Sequence, residues 1–282
     1  MGRGLKLVIA YFLYLCLVEA IFLGISEGTE LPVTVISFVQ VSLFQHRCNI
    51  QIPDEPGTIY GSGQSAGLQQ DKKYLILTFD DGWESQYQAY QSLKPYRGTL
   101  YICSALIGEK ERLSLENLRE MYDNGWDICN HTAHHLNLTK ISLQKAYAEI
   151  YSCSRWIAAQ GFIRDMGYKH FAYPEGAYNE KVLGILKRQK ILTARTANPG
   201  NSTVNVLELG RSSLYGMTRE NIGRLMESDS RLIILNLHRI VPDSTSEPKE
   251  IDLKESYFAE LIEAVKDSKR EVITMTQWYR MQ

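Results

Sequence analysis

The chain has no long run of lysine or arginine, and its formal net charge is -1. It therefore lacks the electrostatic footprint of a protein whose main partner is a phosphate backbone, so nucleic acid is not an expected partner. Cysteine is scarce: there are five in 282 residues, and no two stand as a CxxC pair. Cys16 falls in the apolar N-terminus, whereas Cys103, Cys129 and Cys153 sit in strand and helix patterns, where buried free thiols are expected rather than a disulfide frame. No internal repeat is visible, and no separate carbohydrate-binding module stands out. What remains is an ordinary globular composition, 44% hydrophobic and 22% charged, suited to one catalytic domain with an N-terminal appendage.

Arg3 and Lys6 precede the apolar stretch Leu7 to Leu17, and Val18-Glu19-Ala20 then sets small residues where a signal peptidase cuts. Apolar character resumes at Ile21 to Gly24, so residues 7–24 also approach the ~20 residues that span a bilayer, with Glu19 weakening that reading. Residues 1–24 are thus expected to be a signal peptide or a membrane anchor, and either places the domain outside the cytoplasm. Residues 25–71 form an extension and linker: 31–44 are apolar and β-branched, and 51–70 carry two prolines and four glycines. The domain is expected over 72–282. The sequons at Asn130, Asn137 and Asn201 carry little weight, because the motif is common and Asn130 directly precedes a candidate ligand.

Within the domain, short apolar runs alternate with helical patterns. Strands are expected at Tyr74 to Phe79, Thr99 to Ile102, Trp126 to Cys129, His170 to Tyr173, Ile191 to Ala194, Val206 to Leu209, Leu232 to Leu237 and Val272 to Met275. One helix reads from Ser142 as N-cap through Leu143, Ala146, Tyr147, Ile150 and Ile157 to a stop at Gly161, and another runs from Ser114 to Gly125. Such β-then-α alternation over about 200 residues implies an α/β fold with a mainly parallel sheet, closed or nearly closed into a barrel, with an open doubly wound sheet as the other solution.

A barrel of this kind carries its chemistry at the C-terminal ends of its strands. YLILTF is followed by Asp80-Asp81-Gly82, WDIC by Asn130-His131-Thr132-Ala133-His134-His135, HFAY by Pro174-Glu175-Gly176, VLEL by Gly210-Arg211, and LIILNL by His238. Taken singly, each has a plain structural reading: a turn at Asp80-Asp81-Gly82, an exposed loop at His131 to His135, a satisfied core histidine at His238. Together they bring carboxylates and imidazoles to one rim, as a metal-assisted hydrolase requires, with Asp80, Asp81, His131 and His135 forming a mononuclear site. Adjacent aspartates point apart, so one can ligate while the other acts as base. His131 and His135 share the spacing of the HExxH zinc proteases, but position 132 is Thr, so the general-base Glu is missing. Haloacid dehalogenase-type phosphatases need their two aspartates separated by one residue, which Asp80 and Asp81 are not.

Thr78-Phe79-Asp80-Asp81-Gly82, His131-Thr132-x-x-His135, Pro174-x-Gly176 and Leu237-His238 resemble the polysaccharide deacetylases, the NodB-like domains of carbohydrate esterase family 4. The resemblance covers roughly residues 72–282 and implies a distorted (β/α) barrel of about seven parallel strands. It further implies Asp81, His131 and His135 as ligands of one divalent ion, Zn²⁺ first and Co²⁺, Ni²⁺ or Mn²⁺ as alternatives. Asp80 becomes general base and His238 general acid, in removal of N-acetyl groups from a polysaccharide or oligosaccharide. The loop Tyr173-Pro174-Glu175-Gly176, through the backbone N–H of Glu175, and Leu237 are expected to face oxyanion and substrate. An O-acetyl esterase and a non-catalytic, metal-bearing carbohydrate-binding protein are the rival readings. Two features depart from the family: Ala172 stands where an arginine orients the catalytic aspartate, and no Asp-x-Trp element is recognisable. Arg211 is the expected substitute guanidinium for Asp80.

Overall fold

The computed structural model describes residues 71–200, 205–214 and 217–282. The signal or anchor segment 1–24, nearly all of the 25–71 extension, Cys16, Cys48 and the sequon at Asn201 lie outside the described residues. Among the described residues no helix is long and apolar enough to cross a membrane.

Seven parallel strands form the framework: β1 (Tyr74–Asp81), β2 (Thr99–Ile102), β3 (Asp127–Asn130), β4 (His170–Ala172), β5 (Thr193–Pro199), β6 (Leu209–Ser213) and β7 (Leu232–Leu237). They pair in sequence order, and β7 returns to β1 in register from Tyr74↔Leu232 to Phe79↔Leu237, which closes the barrel. Helices α1 (Ser85–Leu93), α2 (Leu115–Asp123), α3 (Leu143–Ala159), α4 (Glu180–Arg188) and α5 (Arg219–Glu227) fill most of the crossovers. After β7 the chain adds a small ribbon, β8 (Arg239–Val241) with β9 (Asp252–Lys254), then α6 (Glu255–Asp267), β10 (Glu271–Val272) and α7 (Met275–Arg280).

The helix starts follow local chemistry. Ser114 accepts from the Asn117 N–H in a capping box, Ser142 accepts from Lys145 N–H and Asn179 from Val182 N–H, each satisfying an orphan donor of the first turn. Gly125 and Gly161 follow α2 and α3 with φ of 91° and 87°, the left-handed conformation that ends a helix cheaply only at glycine.

Two expected strands move. Val206 to Leu209 is not a strand but largely a turn, in which the Asn205 side chain accepts from Leu207 N–H and the Asn205 carbonyl from Glu208 N–H. The local Asn bonds outcompete the apolar cue, so β6 begins at Leu209 and Arg211 lies inside it rather than beyond its end. Val272 to Met275 is also not a strand: β10 ends at Val272, and Thr274 opens α7 through a capping box with Gln277. β10 covers only Tyr74 and Leu75 of β1, the stretch before β2 joins at Thr78.

Side chains alternate across a strand, so Tyr74, Ile76, Thr78 and Asp80 share the inner face of β1. At the N-terminal end of the barrel Tyr74, Ile76, Leu209, Leu232 and Ile234 pack against Ile273, Met275 and Trp278, which plug it. Burying one such large apolar side chain contributes roughly 1.5–3 kcal/mol. The outer faces of β4 and β5 (Phe171, Ala194) pack on Ala146, Ile150, Val182 and Ile185 of α3 and α4. With one end plugged, the polar residues at the C-terminal ends are left to form the open mouth.

Candidate metal centre and its acid and base

Three elements bring the ligand candidates together. Asp81 ends β1 with φ of 74°; His131 follows β3, and His135 sits four residues on with φ of 57°, after Thr132 at φ 68°. Left-handed backbone at three non-glycine residues costs energy and persists only where surroundings enforce it, a pattern concentrated at functional sites. The enforcement is visible. Asn130, fully buried, donates to the Ile150 carbonyl and Ser154 Oγ of α3 and accepts from Thr132 N–H; Glu149 accepts the backbone N–H of His134, and its carbonyl accepts from Ala133 N–H.

Asp81 Oδ1 lies 3.4 Å from His131 Nε2 and 3.3 Å from His135 Nε2, and all three ligand atoms fall within 4.8 Å of one another. Ligands held at about 2.0–2.2 Å around a tetrahedral ion stand roughly 3.3–3.5 Å apart, so these two edges already suit Zn²⁺. The donors are prepared as well. His131 Nδ1–H donates to the Ala172 carbonyl at 2.8 Å, which leaves Nε2 with its lone pair free. Trp83 Nε1–H donates to Asp81 Oδ2 at 3.0 Å, while Asp81 Oδ1 is buried with no hydrogen-bond partner. A buried carboxylate oxygen left without a donor fits a cation. Burial pushes the Asp81 carboxyl up, but the adjacent imidazole of His131, with those of His238 and His135, holds it well below the carboxylate range.

Asp80 is 3% exposed and forms the centre of a second group. Its Oδ2 pairs with Arg195 Nη2 and lies 3.7 Å from His238 Nε2 and 4.0 Å from His131 Nε2. Burial raises its pKa, and the charges of Arg195, His131 and His238 more than offset this, so it stays ionised. For His238 burial prevails over the two aspartates, and its pKa falls below the usual value, which makes the protonated imidazole a stronger acid. Gln86 of α1, fully buried, ties the pair together: its Nε2 donates to the Asp80 carbonyl at 2.5 Å and the His238 carbonyl at 2.9 Å.

The expectation for Arg211 is corrected. The guanidinium that meets Asp80 is Arg195, from β5, whose Cα is in register with Ala172 of β4. The arginine missing at Ala172 has thus moved one strand sideways on the same face of the sheet. Arg211 lies one strand farther on, where the Arg195 charge adds to burial in lowering its pKa and Asp80 acts on it only at longer range. Tyr173 faces away from the chemistry: its ring stacks on Tyr178 and its hydroxyl donates to the Leu207 carbonyl at 2.8 Å. Pro174–Gly176 form a single 3-10 turn, in which exposed Glu175 accepts from Asn137 Nδ2 at 2.6 Å. Gly176, at φ 66°, approaches Ala197 so closely that a Cβ would stand 2.2 Å from the alanine methyl. Leu237 is buried beside His238 on the wall of a cleft. Of the functional set, Arg195, Gln86 and Trp83 were not among the residues expected from sequence.

The polysaccharide deacetylase family model matches residues 67–194. The chain is 30% identical over 184 residues to YxkH of Bacillus subtilis (strain 168), a protein whose name assigns it to the polysaccharide deacetylases, covering 63% of each chain. It is 29% identical over 121 residues to the peptidoglycan-N-acetylmuramic acid deacetylase PdaA of the same organism, covering 42% of this chain and 44% of that one. The chain therefore spans less than two thirds of either curated relative. Among solved structures, the Streptococcus pyogenes deacetylase PplD in complex with acetate superposes with a TM-score of 0.50 at 28% identity, over 54% of this chain and 70% of that one. Residues 67–194, which carry three of the four motifs, are thus similar to the polysaccharide deacetylase family, and they lie on a closed barrel of seven parallel strands.

Proposed function

We propose that the domain is a metal-dependent hydrolase that removes N-acetyl groups from an extracytoplasmic or cell-wall polysaccharide, acting as a secreted or membrane-anchored protein. One observation carries the reading: Asp80 Oδ2 stands between Arg195, His131 and His238, beside three converging ligand atoms of which one, Asp81 Oδ1, is an unpartnered buried oxygen. A site that only bound metal would need neither the second aspartate nor His238. The names of YxkH and PdaA, and the acetate held by PplD, support an acetylated sugar as substrate.

Asp81, His131 and His135 would hold the ion, Zn²⁺ by the donor set and spacing. Such an ion supplies Lewis-acid polarisation of the acetyl carbonyl and a water acidic enough to attack near neutral pH. Asp80 accepts the proton of the attacking water on Oδ2, and Arg195 keeps that oxygen aimed and ionised until it does. His238 delivers a proton from Nε2 to the departing amine nitrogen, without which C–N cleavage stalls. The loop at Glu175, next to His135, is where a backbone N–H would meet the tetrahedral oxyanion.

The test is acetate release from a panel of N- and O-acetylated oligosaccharides, before and after chelation and with metal restored. Release that needs metal and disappears in Asp80→Asn supports the hydrolase, and the ratio of amide to ester turnover separates deacetylase from esterase. A metal-loaded protein that binds the oligosaccharides and releases no acetate from any of them refutes the catalytic reading.

A further inference from the structure

Beside His238 a cleft of about 290 Å³ runs between the ends of β6 and β7 and the β9 ribbon, lined by Arg211, Asn236, Leu237, His238 and Ile251. Its size is at the small end for ligand pockets, enough for a sugar substituent or one sugar residue. Its walls combine apolar side chains with buried N–H donors that find no partner among the described residues. Asn236 is 5% exposed, and its Nδ2 has no hydrogen-bond partner. Arg211 is half-buried, and its Nε is likewise unpartnered. Buried donors are almost always satisfied, so two orphans on one cleft call for an acceptor brought from outside.

Among the described residues, the carboxylates nearest the cleft do not supply it. Asp252 also lines the cleft, but its carboxylate is fully enclosed and occupied by Arg239 Nε and Nη2, at 2.9 and 2.7 Å, and by Lys249 N–H at 2.8 Å. Glu250 is exposed at the mouth. Asp80 Oδ2 is taken by Arg195, and Asp80 Oδ1, itself unpartnered, reaches neither Arg211 Nε nor Asn236 Nδ2. Burial and the neighbouring Arg195 charge both disfavour the Arg211 cation, which an incoming anion would relieve.

We infer that this cleft is a subsite for a carboxylate carried by the substrate, so that the preferred polysaccharide is acidic, with a uronic acid or a lactyl ether next to the acetamido group under attack. The inference rests on the deacetylase reading for its setting. Arg211 offers planar, charged donors matched to a carboxylate, Asn236 adds an amide N–H, and Leu237 with Ile251 covers the carbon skeleton.

The experiment measures binding apart from turnover. Calorimetry on metal-loaded Asp80→Asn compares an N-acetylmuramic acid-containing glycan, the same glycan with its carboxyls methyl-esterified, and a neutral N-acetylglucosamine oligomer. Affinity for the free carboxylate is expected to exceed that for the ester about tenfold or more. The ratio should fall to near 1 on adding Arg211→Met, survive in part with Arg211→Lys, and reverse with Asn236→Asp; a melting scan confirms each fold. Equal affinity for acid and ester, or a preference that survives Arg211→Met, overturns the subsite. Acetate release by the wild-type protein, run in parallel, tests the deacetylase reading by itself, since calorimetry on the Asp80→Asn background does not depend on it.

Discussion

Replacing Arg195 with Met should disable catalysis without emptying the metal site. Arg195 is 3% exposed, and its guanidinium meets a carboxylate that is equally enclosed. Removing one partner of a buried pair costs about 3–5 kcal/mol, because the other charge is left unmatched. That is a ceiling here, since His131 and His238 also face Asp80 at 4.0 and 3.7 Å. If they retain about half of the stabilisation, roughly 2–3 kcal/mol is lost from the positioning of the base. At about 1.4 kcal/mol per decade, kcat then falls roughly 30- to 150-fold. KM and bound metal should change little, because Arg195 touches none of the three ligands. The sharper test uses the register. Ala172 and Arg195 are Cα partners on neighbouring strands, so Arg195→Ala combined with Ala172→Arg should restore at least tenfold of the kcat lost in the single variant. Acetate release at saturating substrate, with metal content measured on each protein, decides the matter. A folded Arg195→Met enzyme that keeps its kcat within threefold refutes the role assigned to Arg195.

Gln86→Leu removes two hydrogen bonds that join the carbonyls of Asp80 and His238; a loss of about tenfold to a hundredfold in kcat with little change in KM is expected from steady-state kinetics. Trp83→Phe deletes the N–H that holds Asp81 Oδ2, and competition against a chelator should show metal binding weakened about 10- to 100-fold. In the wild type the same indole should report metal addition through its fluorescence, and Trp83→Phe should abolish that component. Asp127, fully buried where it accepts from Thr276 N–H and Oγ1, has its pKa pushed up to about 6, with burial the largest cause. The native state keeps this proton from about pH 4, where the unfolded carboxyl ionises, up to about pH 6, so its contribution is full below pH 4 and lost as pH rises through 6. Denaturant melts should therefore show Asp127→Asn flattening the decline in stability across that window, and an unchanged slope would refute the assignment. Gly176→Ala forces a side chain onto φ 66° and against Ala197, and thermal denaturation should show a loss of more than about 1 kcal/mol.

Much of the centre can be read directly from sequence because each candidate ligand and each residue proposed as acid or base follows an apolar run, and a parallel barrel gathers such ends on one rim. Asp80, Asp81, His131, His135 and His238 are of this kind: local pattern plus topology is enough to bring them together. Arg195 is not, because what links it to Ala172 is register between two strands, and register is a property of paired backbones that no single run displays. The Val206 to Leu209 expectation failed for a related reason, since the bonds of Asn205 moved β6 forward and carried Arg211 from the strand end into its interior. Even so, a signal was present at the displaced residues. Arg195 stands inside Thr193–Pro199, a strand whose first four residues are buried, and a buried guanidinium is costly unless a carboxylate waits for it. Gln86 occupies the same stripe of α1 as Ala89, Tyr90 and Leu93, where an amide survives only by bonding something behind the helix. A polar side chain placed on an apolar face is thus the sequence mark of a supporting residue, just as a polar residue after an apolar run is the mark of a catalytic one. Arg195 and Gln86 carry the first mark, and the atoms they reach, Asp80 Oδ2 and the carbonyls of Asp80 and His238, belong to residues that carry the second.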